Sequence, residues 1–321
     1  MRFCSIAVRV CAATGLLLCG WVGRVEASDL VRIGVGAVYP TYAVFFAGNA
    51  LGFYKNKNLD VEITTFRGGP ATQEALAAGS VDLSAIAPAA VSLAVNKGVR
   101  EKIVALFAPP TAAGWYIMVP TASPIHTVAD LNGKTVAVTQ KGSLTDFWVN
   151  RVARLSGISV NTIPLGGGGV LPGLKAKQVD AAILWPLYSY KGIVDGSLRP
   201  VVDLGAKLPP SISEGVAASD ELIEKKPDVL KRWLSATAKT LAYMQGHEDW
   251  SVKFLGGYFD ESDPRVLDMV YKEFIMKIHA DGNMQPDWMK DSLANDAFTG
   301  GEHALPQDKV FTTAFVPIKA Q

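Results

Sequence analysis

The residues best suited to hold a polar ligand lie in one turn between a predicted strand and a predicted helix. The apolar run at 135–138 predicts a buried strand, and the glycine turn after it ends in Ser143, a helix-capping residue. A strand, a turn and a helix start bring backbone N–H groups and a helix dipole to one spot. We therefore expect Lys141, Gly142, Ser143 and Thr145 to bind an anion or a polar ligand head, although Lys141 can equally face solvent.

Three further turns follow the first three predicted strands and begin helices, which places them at one end of a sheet. Glycines allow close approach of a ligand to the backbone, and tyrosines can stack on it or form hydrogen bonds. Arg67 can pair with an anionic head, but a solvated position at the rim is favoured. The turn around Pro88 offers only backbone groups and shape. The candidates here are Tyr39, Tyr42, Arg67, Gly68, Gly69, Thr72 and Pro88.

Four residues in the predicted passages or beside the second lobe's strands complete the candidate set. Trp115 precedes the first passage, and Trp185 and Tyr188 follow the last core strand of the second lobe. Glu214, in the return passage, can accept from a ligand amine or form a hinge salt bridge, and the hinge role is favoured. This aromatic set predicts a flat or partly aromatic solute, with at most one carboxylate or sulfonate, over a bare anion such as nitrate.

Sequence patterns for cofactors and metals are incomplete. The glycine run at 166–169 lacks the Lys-Ser/Thr pair of a phosphate loop, and GVGAVY at 34–39 lacks the third glycine of a dinucleotide fingerprint. The four histidines have no metal-ligand spacing. We expect no cofactor and no metal.

The first 27 residues have the pattern of an export signal. Arg2 and Arg9 precede an apolar run at 10–22 that is shorter than a membrane span, and cleavage is predicted after Ala27. All three cysteines lie within the first 19 residues, so the mature chain would have no disulfide and no thiolate nucleophile. An exported, cysteine-free chain fits the bacterial periplasm. A formal net charge of +1 gives no support for binding to nucleic acid or anionic membranes.

Beyond the leader, short apolar strands alternate with helices, which is typical of parallel βαβ units. After residue 219 long amphipathic helices dominate, at 227–245, 250–258, 263–278 and 286–295. Segments at 118–124 and 207–214 look like passages between lobes. We therefore predict an α/β fold whose lobe I spans 28–119, whose lobe II spans 120–212, and whose lobe I resumes at 213–321.

Five stretches resemble the periplasmic solute-binding proteins of ABC importers in the NMT1/THI5-like group for nitrate, sulfonates, taurine and thiamine-precursor pyrimidines. The resemblance covers nearly the whole mature chain in the same order. It implies a type II periplasmic-binding fold, with two α/β lobes joined by two crossover segments and a ligand cleft between them. The stretches are FFAGNALGFYKNKNLDVEI (45–63), FRGGPATQEALAAGSVDLSAIAPAAV (66–91), MVPTASPIHTVADLNGKTVAVTQKGS (118–143), KAKQVDAAILWPLY (175–188) and GVAASDELIEKKPDVLKRWL (215–234).

The resemblance implies a monomeric protein that captures a small solute in the periplasm by lobe closure. It would deliver the solute to a membrane permease with its cytoplasmic ATPase. Closure must depend on the ligand, which has to make contacts in the closed state that the open state lacks. Two alternatives remain open: a pyrimidine-synthase-like enzyme of the same fold, whose cysteine-rich motif the mature chain lacks, and a periplasmic ligand-sensing module.

Overall fold

The computed structural model describes residues 27–210, 212–293 and 305–319. Apart from Ala27, the predicted export signal lies outside these described residues. None of the described helices is both long and apolar enough to cross a bilayer. The strands are β1 (Asp29–Val35), β2 (Leu59–Thr65), β3 (Leu83–Ile86), β4 (Glu101–Ala105), β5 (Tyr116–Pro120), β6 (Thr135–Val138), β7 (Asn161–Pro164), β8 (Ala181–Leu184), β9 (Leu198–Asp203) and β10 (Gly215–Ser219).

Helices follow most of the strands, as the alternating pattern predicts, and then dominate the last third of the chain. They are α1 (Pro40–Ala50), α2 (Gly69–Ala77), α3 (Pro88–Asn96), α4 (Leu144–Leu155), α5 (Val170–Lys175), α6 (Tyr188–Val194), α7 (Leu204–Lys207), α8 (Asp220–Lys225), α9 (Pro227–Gly246), α10 (Glu248–Phe259), α11 (Pro264–Glu273), α12 (Pro286–Leu293) and α13 (Gln307–Val310).

The first sheet has the strand order β2-β1-β3-β10-β4. β1 runs parallel to β2 and β3, and Ile33 at its centre pairs with Ile63 and Leu83. β10 runs antiparallel to both β3 and β4. Because β10 comes back to this sheet after the second sheet is complete, the first lobe is built from two separate parts of the chain.

The second sheet has the strand order β7-β6-β8-β5-β9, with β6 parallel to β7 and β8 and with β5 antiparallel to β8 and β9. β5 already belongs to this sheet, so the predicted lobe boundary after residue 119 falls inside a strand. The first passage is at 106–115, because the apolar run at 116–119 is a buried interior strand and not a connection. The return passage, at 208–214, lies within the segment predicted for it.

Helix α9 packs across the first lobe through large buried side chains. Trp233 stacks on Tyr54 with ring centroids 6.2 Å apart and also contacts Phe45 of α1. Phe274 is buried, whereas Met276, two residues later, is 45 % exposed. The reason is that α11 ends at Glu273 and a short 3-10 turn follows, where the sequence pattern predicts a helix up to residue 278.

Candidate ligand-binding cleft

A small cavity lies in the seam between the two sheets, at the carboxyl ends of their strands. Its volume is about 40 Å³, which holds a few water molecules at about 10–15 Å³ each. Residues directly after β1, β2, β3, β6 and β8 form its walls, so both lobes contribute. The lining residues are Gly36, Ala37, Tyr39, Tyr42, Gly68, Gly69, Ile86, Ala87, Ala90, Trp115, Thr139, Gly142, Ser143, Leu144, Thr145, Trp185 and Glu214.

Three buried hydroxyls form the second-lobe wall of the cavity. Thr139 Oγ1 lies 2.9 Å from both Ser143 Oγ and Thr145 Oγ1, and the latter two oxygens are 2.7 Å apart. The predicted N-cap at Ser143 is confirmed, since its hydroxyl accepts from the backbone N–H of Asp146. Helix α4, twelve residues long, therefore begins at this cluster with the positive end of its dipole toward the cavity.

The backbone N–H groups of this turn form hydrogen bonds within the turn itself. The sequence had predicted that they face a ligand. The Gly142 N–H donates to Asp146 Oδ2 at 2.9 Å, and the Ser143 N–H donates to the carbonyl of Gln140 at 3.2 Å. Gly142 has φ +73°, a left-handed conformation that suits glycine and lets the chain turn here. What this wall presents to the cavity is thus mainly hydroxyl groups.

Glycines let the first-lobe wall come close to the second lobe. Gly68 has φ +156° and ψ +172°, and a Cβ on it would lie 2.9 Å from Oε1 of Gln140, across the seam. A Cβ on Gly36 would lie 3.0 Å from the backbone N of Gly69. A side chain at Gly36 would press on the backbone of the neighbouring turn, and one at Gly68 would push the side chain of Gln140 aside.

An aromatic wall closes the remaining side of the cavity and ties the lobes together. The indole N–H of Trp115 donates to the hydroxyl of Tyr39 at 3.0 Å, and that of Trp185 donates to the carbonyl of Val38 at 3.0 Å. Trp115 also makes an edge-to-face contact with Trp148 of α4 at 4.7 Å between ring centroids. These rings are packed against one another, so they present edges to the cavity more than free faces.

Glu214 reaches the cavity from the return passage. The hydroxyl of Tyr42 donates to Glu214 Oε1 at 2.5 Å. The other oxygen, Oε2, is sealed from solvent and has no hydrogen-bond partner among the described residues. Burial raises the pKa of Glu214 to about 8. The prediction that Glu214 forms a hinge salt bridge is wrong: among the described residues, no Lys or Arg pairs with this carboxyl.

Five of the predicted candidates lie off the cavity wall. Arg67 and Lys141 are exposed, and Lys141 Nζ instead contacts Thr162 Oγ1 and, at 3.9 Å, Asp146. The Thr72 hydroxyl donates to the carbonyl of Gly69 at 2.7 Å, inside its own helix. Pro88 is buried behind Ala87, and Tyr188 packs edge-on against Trp185 without reaching the cavity.

The structure adds wall residues that the sequence did not single out as ligand contacts. Thr139 is the chief one, since the predicted strand stops one residue before it. The spacing of hydroxyls at 139, 143 and 145 is the signal that could have identified it. The others are small or apolar and carry no chemical signature: Gly36, Ala37, Ile86, Ala87, Ala90 and Leu144.

Two ion pairs join the lobes outside the cavity. Arg151 of α4 pairs with Asp291 of α12 through two contacts of 3.2 and 3.3 Å, with the arginine side chain 12 % exposed. Lys191 of α6 pairs with Glu261 at 2.5 Å. Helix α12 packs on α3 of the first lobe, so the first pair bridges the seam.

A larger groove, of about 700 Å³, lies at the amino ends of strands β1, β3 and β4, away from the seam. Its walls come from the first lobe alone. Among its charged groups, Arg32 pairs with Asp82, and Arg100 pairs with Asp220 and Glu224. The described residues contain no group of three or more His, Cys, Asp or Glu placed to hold a metal ion.

Two α/β sheets, a discontinuous first lobe and a cavity in the seam define the bilobal fold of periplasmic binding proteins, and the predicted fold class is confirmed. The chain belongs to the NMT1/THI5-like family, whose family model matches residues 39–250.

Individual relatives agree with this membership. A protein of Brucella abortus (strain 2308), named as a binding protein, is 23 % identical over 291 residues, which is 87 % of this chain and 88 % of the relative. An Escherichia coli (strain K12) protein, named for binding aliphatic sulfonates, is 32 % identical over 43 % of this chain and 44 % of its own length. The alkanesulfonate-binding protein SsuA of Xanthomonas axonopodis pv. citri, solved with MOPS bound, superposes with a TM-score of 0.76 at 21 % identity, over 89 % of this chain and 99 % of SsuA.

Proposed function

We propose that this chain is the periplasmic solute-binding component of an ABC importer. It captures a small organic solute with a sulfonate or carboxylate head by closing its two lobes, and it delivers the solute to a membrane permease. The observation that carries the proposal is the cavity whose walls come from both lobes. A solute held there contacts both walls at once and therefore stabilises the closed arrangement over the open one.

The head group would be held by the second-lobe wall. The hydroxyls of Thr139, Ser143 and Thr145 can rotate to donate to acceptor oxygens, and three oxygens of a sulfonate match three hydroxyls. The amino end of α4 adds its positive dipole. Since Arg67 and Lys141 lie outside the wall, dipoles and hydroxyls would hold the head in place of a full positive charge.

The packing of the rings in the cavity wall favours a compact solute. Tyr39, Trp115 and Trp185 pack against one another and turn their edges to the cavity, so no free ring face is left for the flat aromatic solute that the sequence favours. A short alkyl chain beside the ring edges fits this surface better. With a cavity of about 40 Å³, any of these solutes enters only when the lobes separate or the rings turn aside.

Delivery to a permease and export to the periplasm are part of the proposal. Support comes from the predicted leader, from membership of the family and from relatives named as binding proteins. A capture role without catalysis is favoured over a pyrimidine-synthase-like activity because the sequence has no cysteine beyond residue 19. If the role is capture, the solute is recovered chemically unchanged after long incubation with the protein, as NMR would show.

A thermal-unfolding screen of the mature chain tests the proposal. The panel contains propanesulfonate, butanesulfonate, butyrate, benzenesulfonate, nitrate and bicarbonate. A bound solute at about 100 times its dissociation constant adds about 2.7 kcal/mol to the free energy of unfolding. Stabilisation by short sulfonates or carboxylates supports the proposal. Stabilisation by nitrate alone, or by no member of the panel, contradicts it.

A further inference from the structure

We propose that Glu214 forms a second subsite of the cleft, one that binds a cationic N–H group, so that the solute carries a protonated amine as well as its anionic head. This inference rests on the proposed function and names the solute class more closely. Its foundation is the free oxygen of Glu214: Glu214 lines the cavity, its Oε2 is shielded from solvent, and no described residue hydrogen-bonds to that oxygen.

No described Lys or Arg lies close enough to Glu214 to balance its charge. Tyr42, from α1, donates its hydroxyl to Oε1, and Tyr39 is the other titratable group that faces the carboxyl. Among the described residues, the cavity lining includes one acid, Glu214, and no Lys, Arg or His. A buried carboxylate without a counter-charge is costly, and a ligand cation would supply the missing partner.

The aromatic rings keep water away from Glu214. Tyr39, Tyr42, Trp115 and Trp185 all line the same cavity as Glu214. Because they present edges more than faces to the cavity, they offer a cation little attraction of their own. Their effect is to exclude water, which strengthens the attraction between the carboxylate and a ligand cation.

The two subsites lie on opposite lobes. Glu214 belongs to the return passage beside the first sheet, and the hydroxyl cluster of Thr139, Ser143 and Thr145 belongs to the second lobe. A dipolar solute with an amine at one end and an anion at the other would join them. Both ends are satisfied only when the lobes are closed, so the charge pattern couples recognition to closure.

Matched probes and variants test this inference by isothermal titration calorimetry. The pairs are 3-aminopropanesulfonate against propanesulfonate and 4-aminobutyrate against butyrate, which differ only in the amine. Glu214→Gln removes the charge but keeps the shape and the hydrogen bond from Tyr42. Glu101→Gln is the control, because it removes another buried carboxyl, one that lies outside the cavity.

For the wild type we expect each amine-bearing probe to bind about 10- to 100-fold tighter than its twin, as a hydrogen bond to a charged group provides. Glu214→Gln should abolish this preference, and Glu101→Gln should leave it intact. With the pKa of Glu214 at about 8, the amine-bearing probes should also release most of one proton at neutral pH, visible as a heat that varies with the buffer.

Three results would overturn the inference. If the wild type binds each amine-bearing probe and its amine-free counterpart equally well, the proposed function stands but the amine subsite does not. An amine preference that survives Glu214→Gln would place the cation elsewhere. Binding of the amine-bearing probes without net proton release at neutral pH would show that Glu214 stays protonated and donates to the solute. Failure of every probe to bind would instead contradict the proposed function together with the inference.

Discussion

Replacing Glu214 by Gln should change how the stability of the protein depends on pH. Burial raises the pKa of this carboxyl from 4.5 to about 8. Between those values the folded chain holds a proton that the unfolded chain releases, so stability falls as pH rises. The contribution is fully present below the unfolded pKa and is lost as pH passes through about 8. At about 1.36 kcal/mol per unit of pKa, the total is about 5 kcal/mol.

A second buried acid provides the internal comparison. The carboxyl of Glu101 accepts from Gln73 Nε2 at 2.6 Å, and burial raises its pKa to about 7. By the same conversion it contributes about 3 kcal/mol, which is lost as pH passes through about 7. The two acids therefore act in the same direction but over different windows of pH.

Urea unfolding of the mature chain at a series of pH values from about 5 to about 9 measures both contributions. The wild type should lose stability throughout this range. Glu214→Gln should lose stability only up to about pH 7, and Glu101→Gln should keep the loss that extends to about pH 8. A Glu214→Gln curve parallel to that of the wild type would refute the account of this carboxyl as a buried, uncompensated group.

Three further changes probe the seam. Gly68→Ala should lower the free energy of unfolding by about 1–3 kcal/mol through backbone strain. It should also weaken sulfonate binding, because its Cβ would lie 2.9 Å from Oε1 of Gln140 on the other lobe. Gly79→Ala is the control: it has open space around it and should show the strain without the loss of binding. Arg151→Met should weaken binding by about 1–3 kcal/mol through loss of its charged contacts to Asp291, and unchanged affinity would show that the pair does not hold the closed state. Thr145→Val should weaken sulfonate binding about 10-fold through loss of one hydroxyl, and titration calorimetry that shows full affinity would exclude the hydroxyl cluster.

Local signals in the sequence were enough to predict the architecture. The alternation of strands and helices predicts two α/β units, and Ser143 caps α4 as its position before an apolar-periodic segment indicates. The passage between lobes was placed too late because an apolar run, at 116–119, looks alike whether it connects two lobes or forms an interior strand. Only its pairing with β8 and β9 distinguishes these cases.

The chemistry of the cleft depended on contacts between distant residues, which sequence patterns do not contain. Tyr42 and Glu214 are 172 residues apart, and nothing local to either predicts their hydrogen bond. The sequence also could not predict which way the Lys141 side chain points, because a lysine in a turn can reach either a ligand or a neighbouring carboxylate. Here Asp146, one turn into α4, lies close enough to attract it.

The distance between the lobes, measured with and without solute, tests most directly the claim that this protein captures its ligand by closure. Because all three cysteines lie within the first 19 residues, a mature chain carrying Glu74→Cys and Leu155→Cys can be spin-labelled at those exposed positions, one on each lobe. Electron-spin distance measurements should give a broad or longer distribution without solute. With saturating propanesulfonate or 3-aminopropanesulfonate, we expect a single shorter distance. A distribution unchanged by a solute that demonstrably binds would contradict capture by closure.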